Sequence, residues 1–111
     1  MNRRVVLSAR AKRELIAATE WWATHRSTEQ ADRWYAGFLK TLEALSDTAP
    51  RYPLARERAT FAAELRQLNY GVSKRPTHRA VFVVHDDVVV VLTIRHLAQR
   101  DLSGEELAEQ E

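Results

Sequence analysis

The chain contains no cysteine. No disulfide framework can staple it, no thiolate can act as a nucleophile, and no cysteine zinc site can form. No HExxH or other compact ligand set is present either, so no metal and no cofactor are expected. The longest apolar run is too short to cross a bilayer and is rich in β-branched residues, so no membrane attachment is expected. Met1-Asn2-Arg3-Arg4 leads into a short strand rather than a long apolar stretch, so no secretory signal is expected. A cytoplasmic protein follows as the expectation. There is no internal repeat and no low-complexity linker. Residues 1–111 therefore read as one domain, large enough to bury a single core.

What is present is charge, unevenly placed. The net charge is +2. From Pro50 to Arg100 there are nine Lys/Arg against four Asp/Glu, whereas Asp101 to Glu111 holds five acids and no base. The basic character belongs to the second half of the fold, and an acidic tail, expected to fray, follows it. A surface of that kind suits a phosphate backbone or an acidic protein partner.

The stretch from His78 to Asp101 predicts a β-hairpin. Its arms are Arg79-Ala80-Val81-Phe82-Val83-Val84 and Val88-Val89-Val90-Val91-Leu92-Thr93-Ile94. His85-Asp86-Asp87 lies between them, and Asp tolerates the left-handed backbone of a tight turn. Both arms are apolar and β-branched, as in strands buried on both faces. At the open end His78 and Arg79 should meet Arg95 and His96. His78 and His85 are seven apart and face opposite sides of a regular strand, which argues against a metal shared between them.

Arg4-Val5-Val6-Leu7 predicts a short opening strand, and Ser8 is a helix N-cap. A helix over about Ala9–His25 follows, with Ala11, Leu15, Ala18 and Trp22 at helical spacing. Ser27 with Gln30 fits a capping box for a second helix. Its apolar face is Ala31, Trp34, Tyr35, Phe38, Leu42 and Leu45, and Pro50 and Pro53 mark its end. Trp22 and Trp34 are the expected core aromatics, leaving Trp21 or Tyr35 at the surface. Phe61-Ala62-Ala63 predicts a turn of helix. Glu64 to Tyr70 predicts a strand that Gly71 breaks. The order β-α-α-β-β-β implies a two-layer α+β domain, a helical hairpin packed on a mostly antiparallel sheet. One face of that sheet, or a groove at its end, would stay open.

Arg66, Arg79, Arg95, His96 and Arg100 are the candidate chemical residues. Arginine forks match phosphate oxygens, and histidine exchanges protons near neutral pH. Together they suit RNA cleavage, with a base at the ribose 2′-hydroxyl and arginines on the charged phosphorane. The same residues also read as solvated strand-end charges, or as partners of Asp86, Asp87 and Asp101. Tyr70 could stack a base or simply pack on a strand neighbour. Arg51, Arg56 and Arg58 make a basic segment with one acid, Glu57, and Lys74 and Arg75 sit in a turn.

As an ordered set these pieces resemble the RelE/ParE superfamily of toxins from bacterial type II toxin–antitoxin modules, often labelled plasmid-stabilisation proteins. VVLSARAKRELIAATEWW is similar to the family's opening strand and helix, and STEQADRWYAGFLKTLEAL to its second helix. ELRQLNYG is similar to a strand carrying a family arginine, here Arg66. HRAVFVVHDDVVVVLTIRHLAQRD resembles the closing hairpin, with IRH-x-x-R-D and LSGEEL behind it as the most specific part. The resemblance implies a RelE/ParE-like fold and a cognate antitoxin, with a toxin–antitoxin hetero-oligomer. It implies one of two activities: cleavage of mRNA on the ribosome, or non-enzymatic inhibition of DNA gyrase. A third possibility is an inactive fold that only binds its antitoxin. The first is the expectation carried forward. His96, Arg79 and Arg66 would then be catalytic and metal-independent. Arg95, Arg100, Tyr70, Lys74, Arg75, Arg56 and Arg58 would bind RNA or another target.

Overall fold

In the computed structural model, which describes residues 2–60 and 64–110, Arg4–Leu7 forms strand β1 and Ala9–His25 forms helix α1. Ser8 joins them. Its hydroxyl accepts the Ala11 N–H at 3.0 Å and donates to the Leu92 carbonyl at 2.8 Å. One side chain thus caps the helix and ties its start to a strand 84 positions away.

Helix α2 spans Thr28–Glu43 and runs on into a short helix, α3, at Leu45–Thr48. The Ser27 hydroxyl accepts the Gln30 N–H at 3.1 Å. No return bond from Gln30 to the Ser27 backbone accompanies it among the described residues, so only half of the expected capping box forms. Ala31, Trp34, Phe38, Leu42 and Leu45 are buried as expected, but Tyr35 is not. Neighbours on a helix point about 100° apart, so a fully buried Trp34 turns Tyr35 outward.

Three further strands follow: β2 at Leu65–Tyr70, β3 at His78–Val84 and β4 at Val88–His96. The sheet order is β1-β4-β3-β2. β1 runs parallel to β4, and the other two pairings are antiparallel. The expected α+β architecture is the one observed. Phe61-Ala62-Ala63, where a turn of helix is predicted, lies outside the described residues. Gly71 ends β2 because the chain folds back closely there: a Cβ would fall 2.6 Å from the Arg75 carbonyl oxygen.

The β3–β4 turn corrects one expectation. No described non-glycine residue has positive φ, so the aspartates do not use the left-handed region. The His85 N–H donates to the Val88 carbonyl at 2.8 Å instead, and Arg3 Nε braces the His85 carbonyl at 2.8 Å. Further along, Phe82 pairs with Val91 and Val81 with Thr93, which leaves Leu92 as an extra, bulged residue. The bulge resets the alternation. Val89, Val91 and Ile94 face the helices, whereas Leu92 faces the other way.

The helix-facing core gathers around Trp34, Phe38, Leu42, Phe82 and Ile94. The opposite face, or a groove at its end, was expected to stay open; the face itself is covered. Val81, Val83, Leu92 and Leu65 meet Ala55, Leu102 and Leu107 there. The last two residues belong to the acidic tail, also expected to fray. Instead Gly104–Ala108 forms helix α4, closed by a reciprocal capping box between Ser103 and Glu106. Burying each leucine is worth about 1.5–3 kcal/mol, and the capping box satisfies backbone N–H groups at the start of the helix.

Candidate functional site

Strand period decides how the charged end of the hairpin is divided. His78 pairs with His96, and Arg79 with Arg95. Successive residues face opposite sides of a sheet. The two histidines therefore point to the helical side and the two arginines to the side covered by the C-terminal segment.

On the arginine side, Arg79 is fully buried. Its Nη1 and Nη2 donate to the Glu57 carboxylate at 2.8 and 2.6 Å, and Glu57 is buried too. Gln67 Oε1 at 3.2 Å and Asp101 at 3.4 Å complete the acceptors. Burial disfavours the charged form of Glu57, but the hydrogen bonds and charge of Arg79, with backbone donors, together hold its pKa below the usual range. Glu57 also accepts the Leu102 N–H at 3.3 Å, so the pair fastens the C-terminal segment to the sheet. Arg79 was expected to hold phosphate. Its fork is filled by a carboxylate and closed to solvent.

Arg95 is nearly buried and donates from Nε to the Arg100 carbonyl at 3.0 Å. Its Nη1 lies 3.4 Å from Glu14. Burial lowers its pKa, while Glu14 works against that. Glu14 also accepts from the Thr93 hydroxyl at 2.7 Å and the Ile94 N–H at 3.0 Å. β1 pairs no further along β4 than Val91, so the carboxylate satisfies a strand edge that no strand reaches.

The remaining sequence candidates are dispersed. Arg66 pairs with Phe82, well along the sheet from the histidines, and its guanidinium binds the Tyr52 carbonyl and Glu64. Tyr70 stacks on Phe38 with ring centroids 4.4 Å apart and donates to the Trp34 carbonyl at 3.1 Å. Its expected use as a base platform is taken by the core. Arg56 binds Asp101 at 2.8 Å and the carbonyls of Leu97 and Gln99. Arg58 turns back to the Ala55 carbonyl at 3.3 Å. Arg100 forms a two-pronged pair with Glu106 at 2.9 and 3.0 Å, which raises the arginine pKa and lowers that of the glutamate. Lys74 and Arg75 are exposed in the β2–β3 loop.

On the histidine side an open groove of about 540 Å³ lies between α1 and the end of the sheet. Ala17, Ala18, Trp21, Trp22 and Arg26 line one wall; Thr77, His78, Ile94, His96 and Gln99 line the other. The His78 and His96 rings are 5.2 Å apart, and Trp34 packs edge-on against His78 at 5.0 Å. Burial first, and the neighbouring His96 second, push the His78 pKa down to about 4. No cluster of three or more metal-ligating side chains occurs among the described residues. No helix among them is long and apolar enough to cross a membrane.

Two residues central to this geometry were not picked out from the sequence, Glu57 and Glu14. The signal for Glu57 was available: one acid among three arginines within residues 51–58. Glu14 offered only its interruption of an apolar stripe.

A family model described as the ParE toxin of type II toxin–antitoxin system, parDE, matches residues 5–101. No curated protein matches. Among solved structures, a chain from the chromosomal ParDE TA system of P. aeruginosa superposes with a TM-score of 0.65. The two are 17% identical, over 85% of this chain and 95% of that one. At that identity the likeness is one of fold.

Proposed function

The chain belongs to the ParE toxin family of type II toxin–antitoxin systems, and from this we propose that it arrests growth by binding DNA gyrase, not by cutting RNA, and that a cognate antitoxin restrains it. The observation carrying this reading is the burial of Arg79 against Glu57. Cleavage at a ribose 2′-hydroxyl needs a base, a phosphate ligand and an acid converging on one phosphate. Here His96 faces one side of the sheet and Arg79 the other, and Arg66 is held elsewhere by Tyr52 and Glu64. Opening Arg79 to phosphate would strand a buried carboxylate. A binding toxin needs only a presented surface. The exposed Lys74 and Arg75 supply a cationic one at the open end of the hairpin. The antitoxin follows from the module to which this family belongs, and the similar solved chain comes from a ParDE TA system.

The test is induction without antitoxin, following plasmid supercoiling and protein synthesis separately. Loss of supercoiling activity should precede any fall in translation, and purified toxin should inhibit gyrase. Growth arrest should survive His96→Ala. Early translational arrest with ribosome-dependent mRNA fragments, and supercoiling intact, would overturn the reading in favour of the nuclease.

A further inference from the structure

We propose that the β2–β3 loop, Gly71 to Thr77, is the part of the chain that meets gyrase, and that its seat there is an acidic protein surface with an apolar spot for Val72. This rests on the gyrase reading above and gives it a place and a chemistry.

Three observations carry it. The first is which charges are left over. From Pro50 to Arg100 there are nine Lys/Arg. Arg56, Arg66, Arg79, Arg95 and Arg100 each pair with a carboxylate, and Arg58 turns back to the Ala55 carbonyl. That leaves Arg51, by itself after α3, and the adjacent Lys74 and Arg75. Both of the loop residues are exposed, and neither side chain has an acceptor among the described residues. No Asp or Glu occurs from Leu65 to His85, so the local sequence offers them none. The basic excess of this half of the chain thus reaches solvent mainly as one dipeptide.

The second is shape. The loop is pinned at both ends. A Cβ on Gly71 would fall 2.6 Å from the Arg75 carbonyl oxygen and 2.8 Å from the Pro76 Cα, so the two limbs touch. The Thr77 N–H donates to the Tyr70 carbonyl at 2.9 Å, and the Leu97 N–H to the Thr77 carbonyl at 2.9 Å. Tyr70 is itself held by Phe38 and the Trp34 carbonyl. Pro76 fixes its own φ. A loop already set in one form has little ordering entropy to lose on binding.

The third is Val72, which is 53% exposed at the start of the same loop. A lone exposed valine is ordinary. Beside two unpaired cations on a pinned loop, it adds an apolar contact to a charged one.

Gyrase carries DNA, so the cations could meet phosphate instead. The count decides against it. Proteins held by phosphates use about six to ten such contacts, and two would give a log–log salt slope of only roughly −1.8. The loop also has no aromatic ring on which a base could stack. Two cations and a valine suit a small acidic patch on a protein.

The experiment passes full-length toxin over immobilised gyrase holoenzyme, free of DNA, at about 0.1 M and about 1 M salt, where the Debye length is about 10 Å and about 3 Å. Lys74→Glu with Arg75→Glu should slow association at least about tenfold at the lower salt, and the gap should close at the higher, because charges at the edge of a contact act on the encounter. Lys74→Gln with Arg75→Gln, which removes charge without reversing it, should show a smaller effect of the same kind. Val72→Ser should leave association unchanged and speed dissociation about fivefold. Thermal melts of all three variants should match wild type, since the replaced side chains are exposed. Association untouched by charge reversal, or slowed equally at both salt concentrations, would overturn the loop assignment while wild-type inhibition of gyrase stands. Toxin that binds a short DNA duplex as tightly as it binds gyrase, and loses that binding on charge reversal, would overturn the acidic protein seat in favour of phosphate. Wild-type toxin that does not bind gyrase would overturn both the loop assignment and the reading beneath it.

Discussion

Replacing Glu57 by alanine tests the buried pair that divides the two readings of the site. In the folded chain Arg79 and Glu57 are both closed to solvent and share two short hydrogen bonds. Removing one member of such a pair leaves a charge desolvated and unpaired, at a cost of roughly 3–5 kcal/mol. Asp101 lies 3.4 Å from the Arg79 guanidinium and is 46% exposed, so it recovers part of the loss. We expect Glu57→Ala to cost about 3 kcal/mol, a large share of the roughly 5–15 kcal/mol that holds a domain folded. Urea unfolding followed by tryptophan fluorescence at pH 7 measures it. The double variant Glu57→Leu with Arg79→Met should recover most of the loss, since apolar residues of similar volume often replace a buried pair without cost. The acid limb gives a second readout. The folded pKa of Glu57 lies below the usual 4.5. Its contribution is therefore complete above that value and is lost as pH falls through the folded pKa. The double variant should show a shallower loss of stability in that window. A cost under about 1 kcal/mol for Glu57→Ala would refute the reasoning, for the pair would then not be desolvated.

Two other substitutions probe how the site is held. Gly37→Ala places a methyl group against the Tyr70 hydroxyl and should break its bond to the Trp34 carbonyl; thermal melts should show a loss of about 1–2 kcal/mol. In a Tyr70→Phe background the same change should turn neutral or favourable by up to about 1 kcal/mol, as alanine is the better helix former. Glu14→Ala should cost about 2–3 kcal/mol by stripping acceptors from Thr93, Ile94 and Arg95. Amide exchange at Ile94 should quicken most, and Glu14→Gln should restore about half of the protection.

The parts of the fold that local chemistry dictates were legible. Ser8 and Ser27 announce helices because a hydroxyl satisfies an orphan N–H, and both do so. A run such as Val88 to Leu92 reads as a doubly buried strand, and the second cluster on its far face is the reason. What covers that face was not legible. Leu102 and Leu107 are two leucines in an acidic tail, and no local pattern says that they dock rather than fray. The Leu92 bulge was also hidden, since an extra residue in an unbroken apolar run changes no periodicity that the eye can follow. Glu57 escaped for a related reason. A single acid among arginines reads as a surface charge until the fold delivers Arg79 to it from 22 positions away.

The candidate site shows the same limit in sharper form. His78-Arg79 and Arg95-His96 look in sequence like one cluster of cations and imidazoles. A strand alternates faces every residue, so antiparallel pairing of the two dipeptides sorts them by type: histidine meets histidine, and arginine meets arginine. The sheet then separates the two chemistries that a nuclease would need together. The arginines enter the interior, where a desolvated guanidinium requires a carboxylate, and Glu57 and Glu14 serve as structural partners. The histidines remain at the edge of a groove lined by Trp21 and Trp22. Composition gives this end of the chain a positive charge, but pairing register buries Arg79 and Arg95 and leaves Lys74 and Arg75 as the exposed cations of the neighbouring loop. That sorting leaves the paired imidazoles and the paired arginines on opposite faces of the sheet.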